Sequence, residues 1–161
     1  MKTEHKKKVV VVGKFGVGKS SLIKQFVHSI FSEKYLSTIG VNIDKKTIEF
    51  PDDLVHLILW DLAGSSDNKS QSPMHLQGAQ GIIFVCDLTR PSSYNNIEEQ
   101  IQLLKKTTGD IPIVRVGNKS DLLSSNQLNS IKEQLKIDHI SSAKLNTGVN
   151  ELFLNIARKL I

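Results

Sequence analysis

One eight-residue segment constrains the fold of this chain more than any other feature: residues 13–20, with the sequence GKFGVGKS. It matches the pattern G-x-x-x-x-G-K-S, and it lies between a β-branched apolar run at residues 9–12 and an amphipathic stretch at residues 20–31. A strand that ends at glycine and passes directly into a helix lets successive backbone N–H groups converge on a phosphate group. A bare match also occurs in ordinary glycine-rich turns, but the predicted strand and helix favour a phosphate-binding loop.

Each residue type in this loop has a chemical role in phosphate binding. The glycines allow the backbone to curl, the Lys19 ammonium neutralises the outer phosphates, and the Ser20 hydroxyl binds Mg²⁺. The segment therefore predicts a bound nucleotide with Mg²⁺. The residues that we expect to contact the nucleotide here are Gly13, Phe15, Gly16, Val17, Gly18, Lys19, Ser20 and Ser21.

Apolar runs and amphipathic stretches alternate along the rest of the chain. Strands are predicted at residues 9–12, 41–50, 54–60, 81–87, 111–117 and 137–140, and helices at residues 20–31, 94–104, 124–135 and 147–160. Pro51 and the aspartates after it favour a hairpin turn, and Ser124 and Gln127 have the spacing of a capping box. This order indicates an α/β fold of the P-loop NTPase type, with a six-stranded, mostly parallel sheet covered by helices on both faces.

Composition and charge point to a single-domain protein in a reducing compartment. The chain has 161 residues, a formal net charge of +5 and one cysteine, Cys86, so it has no disulfide framework and no cysteine cluster for zinc. Four lysines lie among residues 1–8, and we expect a flexible basic arm at residues 1–7, a folded domain at residues 8–161, and no nucleic-acid partner. The apolar run after these lysines is too short for a signal peptide, and neither end has a lipidation motif. We expect a cytoplasmic monomer that reaches membranes through partner proteins.

A second motif, Asp61-Leu62-Ala63-Gly64, follows the predicted strand at residues 54–60. An aspartate at the end of such a strand can hold Mg²⁺ through water, and the Gly64 N–H can reach a terminal phosphate. Alone, this short motif would be read as a strand-ending turn. Beside the loop at residues 13–20 it indicates the metal and phosphate side of the same site.

Base recognition is predicted for Asn118-Lys119-Ser120-Asp121, which follows the strand at residues 111–117. The Asp121 carboxylate can accept from the two N–H groups on the Watson–Crick edge of guanine, whereas adenine presents a lone pair at one of these places. Two charge-assisted hydrogen bonds of roughly 1.5–3 kcal/mol each imply a strong preference for guanine. Residues 142–144 can add a backbone N–H to the guanine oxygen. The residues expected at the base are Asn118, Lys119, Asp121, Ser142, Ala143 and Lys144.

With these motifs in this order, the chain resembles the Ras superfamily of small GTPases, and most closely its Rab branch. The resemblance extends from about residue 8 to residue 161, and residues 37–41 (STIGV) are similar to the first switch of Rab proteins. It implies a G domain that binds GTP or GDP with Mg²⁺ and hydrolyses GTP in intracellular trafficking or signalling. The implied partners are effector proteins, an exchange factor and an activating protein.

The resemblance also assigns individual residues. It implies that Thr38 binds Mg²⁺ and the terminal phosphate, that Tyr35 closes over the phosphates, and that Phe31 packs against guanine. For Phe31 and Tyr35, the alternative is that they are ordinary core or surface aromatics. The residues assigned to catalysis are Lys19, Thr38, Gly64 and Ser65, and those assigned to the metal are Ser20, Thr38 and Asp61.

Two positions depart from the family pattern where hydrolysis is concerned. Ser65 follows Asp-x-x-Gly, where the family has a glutamine that orients the attacking water, and a serine side chain is too short for that role. Phe15 occupies a loop position at which the family has a small residue, and its ring would crowd an arginine finger, which contributes about 10³–10⁵ in rate. We therefore expect very slow intrinsic hydrolysis and a block of the usual route of activation by an arginine finger. The charged and aromatic residues of the family's second switch are replaced by SDNKS at residues 66–70, so ordinary Rab regulators are expected not to act on this chain.

Three functions are compatible with these motifs. A GTP/GDP switch would order Thr38 and the loop at Gly64 through the terminal phosphate. An interaction module that holds GTP almost permanently is favoured by Phe15 and Ser65. A nucleoside or nucleotide kinase would share the phosphate loop, but it conflicts with residues 118–121 and lacks a recognisable lid.

Overall fold

The strand order of the sheet determines where a ligand can bind. The computed structural model describes residues 1–34, 38–64 and 72–161, and these residues form one six-stranded sheet. The strands are β1 (Thr3–Val12), β2 (Val41–Glu49), β3 (Asp53–Leu62), β4 (Gly81–Asp87), β5 (Ile113–Asn118) and β6 (His139–Ile140). Their order is β2-β3-β1-β4-β5-β6, with β2 antiparallel to β3 and the other neighbours parallel. The predicted mostly parallel sheet is confirmed.

Helices cover both faces of this sheet. They are α1 (Lys19–His28), α2 (Pro73–Leu76), α3 (Ile97–Thr108), α4 (Ser125–Leu135) and α5 (Val149–Lys159), with 3-10 turns at Pro91–Ser93 and Ser120–Leu122. On one face, Phe26 of α1 and Phe153 of α5 stack with ring centroids 4.1 Å apart. On the other face, Ile97 and Ile101 of α3 pack with Phe84 in a separate core cluster. The predicted α/β class is confirmed.

Continuous apolar runs produce the central strands because both faces of these strands are buried. In β1, Val9 and Val11 belong to the cluster under α1 and α5, whereas Val10 and Val12 belong to the cluster under α3. These four side chains are at most 2% exposed. Burial of one such side chain contributes roughly 1.5–3 kcal/mol, so these runs drive formation of the sheet.

The basic N-terminal segment differs from its predicted form as a flexible arm. β1 begins at Thr3, which pairs in parallel with Asp53 of β3. The His5 imidazole also lies 2.7 Å from the Asp53 carboxylate. The lysines of this segment indicated a solvated arm. Strand pairing, however, satisfies the backbone N–H and C=O groups and does not depend on the side chains. Residues 3–7 therefore belong to the sheet, where a flexible arm over residues 1–7 was expected.

Helix boundaries follow local signals where these are strong. The capping box of α4 is confirmed: the Ser124 hydroxyl accepts from the Gln127 N–H at 3.3 Å, and the Gln127 side chain accepts from the Ser124 N–H at 2.9 Å. α1 ends earlier than predicted, at His28, because Ser29 adopts a left-handed conformation with a φ of 55°. Ile30, which continued the apolar spacing, is 57% exposed.

The carboxyl ends of β1, β3, β4 and β5 lie at one edge of the sheet because these strands are parallel. The loops that follow them contain the sequence motifs, at the edge where ligands bind in open α/β sheets. Among the described residues, no helix has the length and apolar character needed to span a membrane.

Candidate functional site

A cavity of about 500 Å³ opens at this edge of the sheet. Gly13, Val17, Asp61 and Ser142 do not line it but hydrogen-bond to residues that do. Tyr35 and Ser65 lie outside the described residues. The predicted site residues that line the cavity are Phe15, Gly16, Gly18, Lys19, Ser20, Ser21, Phe31, Thr38, Gly64, Asn118, Lys119, Asp121, Ala143 and Lys144.

Lys19 lies at the start of α1, with its ammonium over the phosphate loop. Its Nζ donates to the carbonyl oxygens of Gly13 at 3.0 Å and Lys14 at 3.1 Å. Burial lowers the pKa of Lys19 to about 8; the negative charge of Asp61 opposes this shift, and the positive charge of Arg90 adds to it. An anion beside the ammonium would stabilise its charged form, and a phosphate group would provide that anion.

The phosphate loop packs closely against the predicted base-binding motif because position 18 is glycine. Gly18 caps the N-terminus of α1 with a φ of 103°, a conformation that favours glycine. A Cβ atom there would collide with the side-chain amide of Asn118. That amide donates to the Val17 carbonyl at 3.0 Å, which joins the two motifs directly.

Three oxygen-bearing side chains meet beside Lys19. The Ser20 and Thr38 hydroxyls are 2.7 Å apart, and Ser20 donates to Oδ2 of Asp61. Asp61 is 3% exposed, and its Oδ1 is buried without a hydrogen-bond partner among the described residues. Burial raises the pKa of Asp61, although the Ser20 hydrogen bond and the Lys19 charge act against this. A hard oxygen donor set with an unpartnered buried carboxylate oxygen fits a divalent cation such as Mg²⁺.

Gly64 lies directly against the phosphate loop. A Cβ atom on Gly64 would stand 2.5 Å from the Cα and N atoms of Phe15. The Ala63 N–H donates to the Gly40 carbonyl at 3.1 Å, which ties this segment to the chain just after Thr38. The two segments that were predicted to respond to a terminal phosphate therefore meet at the cavity.

Asn118 connects the loops at the other end of the cavity. It is 2% exposed, and its Oδ1 accepts from the Ser141 hydroxyl at 3.1 Å and from the Ala143 N–H at 3.2 Å. The Ser142 hydroxyl donates to Asp121 at 2.8 Å and orients that carboxylate at the cavity wall. These hydrogen bonds join residues 118–121 to residues 141–143, two segments that are distant in sequence.

Lys119 bridges the phosphate loop and the end of β4. Its Nζ donates to the Gly16 carbonyl at 3.0 Å and pairs with Asp87 at 2.9 Å. Burial acts to raise the pKa of Asp87, but hydrogen bonds from Thr89 and Lys119 outweigh it and lower the pKa. Asp87 therefore stays ionised and holds the Lys119 side chain along the cavity.

Sequence reasoning missed several residues at this site. Asp87 ends β4, and an acidic residue at the carboxyl end of a predicted strand was a usable signal. Arg90, which donates to the Phe15 carbonyl, had no signal in the sequence. Glu33 pairs with Lys144 at 3.1 Å, and both residues line the cavity. The other lining residues that were not predicted are Lys24, Ile30, Ser32, Lys34 and Leu122.

The fold and the site together define a P-loop protein in which a phosphate loop, a hard oxygen donor set and a base-binding motif share one sheet edge. The family model described as the Ras family matches residues 8–161. The chain therefore belongs to the Ras family and is a small GTPase similar to the Rab branch.

Relatives from distant organisms share most of the chain. It is 35% identical to "Ras-related protein Rab-1" of Theileria parva in an alignment that covers 95% of this chain and 73% of the relative. It is 34% identical to "Ras-related protein SEC4" of Saccharomyces cerevisiae, over 94% of this chain and 73% of the relative. It is 36% identical to "Ras-related protein RabC" of Dictyostelium discoideum, over 91% of this chain and 79% of the relative.

Proposed function

We propose that this protein is a Mg²⁺-dependent switch that alternates between GTP-bound and GDP-bound forms and hydrolyses GTP slowly. The observation that carries the proposal is the meeting of Ser20, Thr38 and Asp61 beside the Lys19 ammonium. Thr38 and Gly64 belong to separate segments, and both line the same cavity. A terminal phosphate with Mg²⁺ would contact both segments, and its loss would release both.

Each residue on the phosphate side has a proposed role in binding or in the reaction. Ser20, Thr38 and Asp61 would hold Mg²⁺, which when bound neutralises charge on the phosphate oxygens. Lys19 binds the outer phosphate oxygens, and the Gly64 N–H donates to the terminal phosphate. Together these residues orient the triphosphate for attack by water.

Guanine specificity is assigned to Asp121, which the Ser142 hydroxyl orients. Phe31 lines the cavity and also packs against the core, which gives its ring a defined position beside the base. Two charge-assisted hydrogen bonds imply a preference of about 100-fold or more for guanine. We expect unlabelled GTP to displace a fluorescent guanine nucleotide at a concentration at which ATP displaces almost none; equal displacement at equal concentrations would instead favour a kinase.

Slow hydrolysis is inferred from Phe15 and Ser65. The Phe15 side chain is 44% exposed at the cavity, and its main chain lies against Gly64. A ring at this position obstructs the approach of an arginine from an activating protein. Ser65 directly follows Gly64 and cannot reach the attacking water as a glutamine does.

The cellular role that we infer is in intracellular trafficking or signalling, with effector proteins and an exchange factor as partners. The similarity to Rab proteins supports this role. Ile39 and Ile43, which follow Thr38, are 90% and 55% exposed and offer apolar surface to an effector. We propose a cytoplasmic monomer that contacts membranes through such partners.

A single-turnover GTP hydrolysis assay tests the enzymatic part of the proposal. We expect the parent to be slow and Ser65→Gln to raise the intrinsic rate by roughly tenfold or more, whereas Phe15→Gly should raise the rate only when an activating protein supplies an arginine. Ser130→Gln, on the exposed face of α4, is the matched control and should leave the rate unchanged. A parent rate equal to that of a glutamine-containing Rab relative would overturn the inference.

A second function, a nearly permanent GTP-bound interaction module, is favoured by the position of Phe15 in the cavity wall. The nucleotide released from denatured purified protein distinguishes the two functions. GTP that persists after prolonged incubation with Mg²⁺ would support the module, whereas conversion to GDP supports the switch.

A further inference from the structure

The turn after β4 presents an arginine that has no part in the functions proposed above. The Arg90 N–H donates to the Asp87 carbonyl at 3.0 Å. The Arg90 carbonyl accepts from the N–H of Ser93 at 2.9 Å and from its hydroxyl at 2.7 Å. Ser93 is 1% exposed, and Pro91 begins the following 3-10 turn. The main chain of Arg90 is therefore held on both sides, which limits where its side chain can reach.

That side chain lies against the outer curve of the phosphate loop. Its Nη2 donates to the Phe15 carbonyl, and its Nη1 is 3.3 Å from the place that a Cβ atom on Gly16 would occupy. A glycine at position 16 thus leaves room for the guanidinium. Across residues 1–34, 38–64 and 72–161, no carboxylate forms an ion pair with it. Arginine retains its charge at all physiological pH values, so this part of the loop carries a cation that none of the described carboxylates pairs with.

The Arg90 guanidinium and the Lys19 ammonium both hydrogen-bond to the backbone of the phosphate loop. Lys19 Nζ donates to the carbonyls of Gly13 and Lys14, and Arg90 Nη2 donates to the carbonyl of the next residue, Phe15. Two cations held against one short loop repel each other, and a polyanion bound in that loop gains from both. Phe15 and Gly16 belong to the part of the loop that is expected to curve around the outer phosphates.

We propose that Arg90 is a positioning residue for the outer phosphates, which holds the loop at Phe15–Gly16 and adds a positive charge that favours the triphosphate over the diphosphate. This inference rests on the proposed GTP/GDP function. A triphosphate carries about one more negative charge than a diphosphate, and that charge lies nearest to residues 15 and 16, so it gains more from the guanidinium.

Two substitutions compare loss of the charge with its retention. Arg90→Gln removes the charge and is too short to donate to the Phe15 carbonyl, whereas Arg90→Lys keeps the charge on a long side chain with a less rigid donor. Arg158→Gln is the matched control, because Arg158 is an exposed arginine on α5 whose guanidinium lies over the Phe50 ring at 5.6 Å.

The experiment measures dissociation constants for a slowly hydrolysed GTP analogue and for GDP, with Mg²⁺, by competition against a fluorescent guanine nucleotide. For Arg90→Gln we expect about tenfold weaker binding of the analogue and about threefold weaker binding of GDP, since a partly exposed charge-assisted contact is lost. Arg90→Lys should restore most of the preference for the analogue, and the difference between the variants should shrink at high salt. Arg158→Gln should match the parent.

Three results would overturn the proposal. Equal losses for the analogue and GDP in both Arg90 variants would show that the side chain only holds the loop in place. Unchanged binding in Arg90→Gln would remove its role altogether, and failure of Arg90→Gln to fold would mark Arg90 as purely structural. Failure of the parent itself to bind the analogue would refute the proposed GTP function, which is a separate outcome.

Discussion

Replacement of Asn118 by alanine tests whether one buried amide holds the nucleotide site together. The side chain makes three hydrogen bonds, to the Val17 carbonyl at 3.0 Å, the Ser141 hydroxyl at 3.1 Å and the Ala143 N–H at 3.2 Å. A buried hydrogen bond contributes about 1 kcal/mol net, and its loss leaves a desolvated partner. Asn118→Ala should therefore lower the free energy of unfolding by about 3 kcal/mol, which corresponds to a fall of roughly 6–12 °C in melting temperature for a chain of this size.

Urea unfolding in the presence of GDP and Mg²⁺ measures this loss. Bound GDP adds stability by mass action, so the GDP dissociation constant of each protein is measured, and subtracting RT ln(1 + [GDP]/Kd) from each free energy of unfolding leaves the loss in the protein itself. Asn129→Ala is the control, because Asn129 is an exposed asparagine within α4. Alanine has the higher helix propensity, so this control should be neutral or slightly stabilising.

The structure also predicts faster release of nucleotide from Asn118→Ala. The loops that carry Val17 and Ala143 lose their common partner, so GDP dissociation should accelerate together with the loss of stability. A loss below about 1 kcal/mol, with GDP dissociation unchanged, would refute the view that this amide connects the loops.

Two further substitutions test contacts around the cavity. Asp87→Asn removes the carboxylate that pairs with Lys119 at 2.9 Å, and GDP should dissociate about tenfold faster. Because the folded pKa of Asp87 is below its usual value of 3.8, its stabilising effect is complete above that value and is lost as the pH falls through the folded pKa. The difference in free energy of unfolding between the parent and Asp87→Asn, measured in urea, should thus be constant down to about pH 5 and become smaller below about pH 4. A difference that disappears near pH 6 would contradict this. Gly64→Ala would place Cβ 2.5 Å from the Phe15 main chain. Because this contact is too close, a GTP analogue should bind about 1–3 kcal/mol more weakly. Binding equal to that of the parent would show that the loop can shift to accommodate the methyl group.

Much of the site could be predicted from sequence because its motifs are local and the sheet is parallel. Residues 13–20, 61–64 and 118–121 each follow a strand, and parallel strands bring their carboxyl ends to one edge. The central strands were recognisable because strands buried on both faces need continuous apolar runs. The start of α4 was recognisable because a capping box is complete within four residues.

Other features depend on contacts between residues far apart in the chain. The start of β1 at Thr3 follows from pairing with β3, which overrides the charge pattern of the segment. The Lys119 contact with Gly16 joins residues 103 positions apart, and the Arg90 contact with Phe15 joins residues 75 positions apart. No local spacing encodes these contacts.

The sequence by itself determined the fold class, the phosphate loop and the positions of the metal and base motifs, because backbone geometry and apolar periodicity act over a few residues. The tertiary structure alone decided which charged side chains face the loop. The end of β4 and the turn after it lie beside Lys119 and residues 15–16. Asp87 and Arg90 make their contacts there. The physical reason is that the direction and reach of a long polar side chain are set by packing across the molecule and not by its neighbours in sequence.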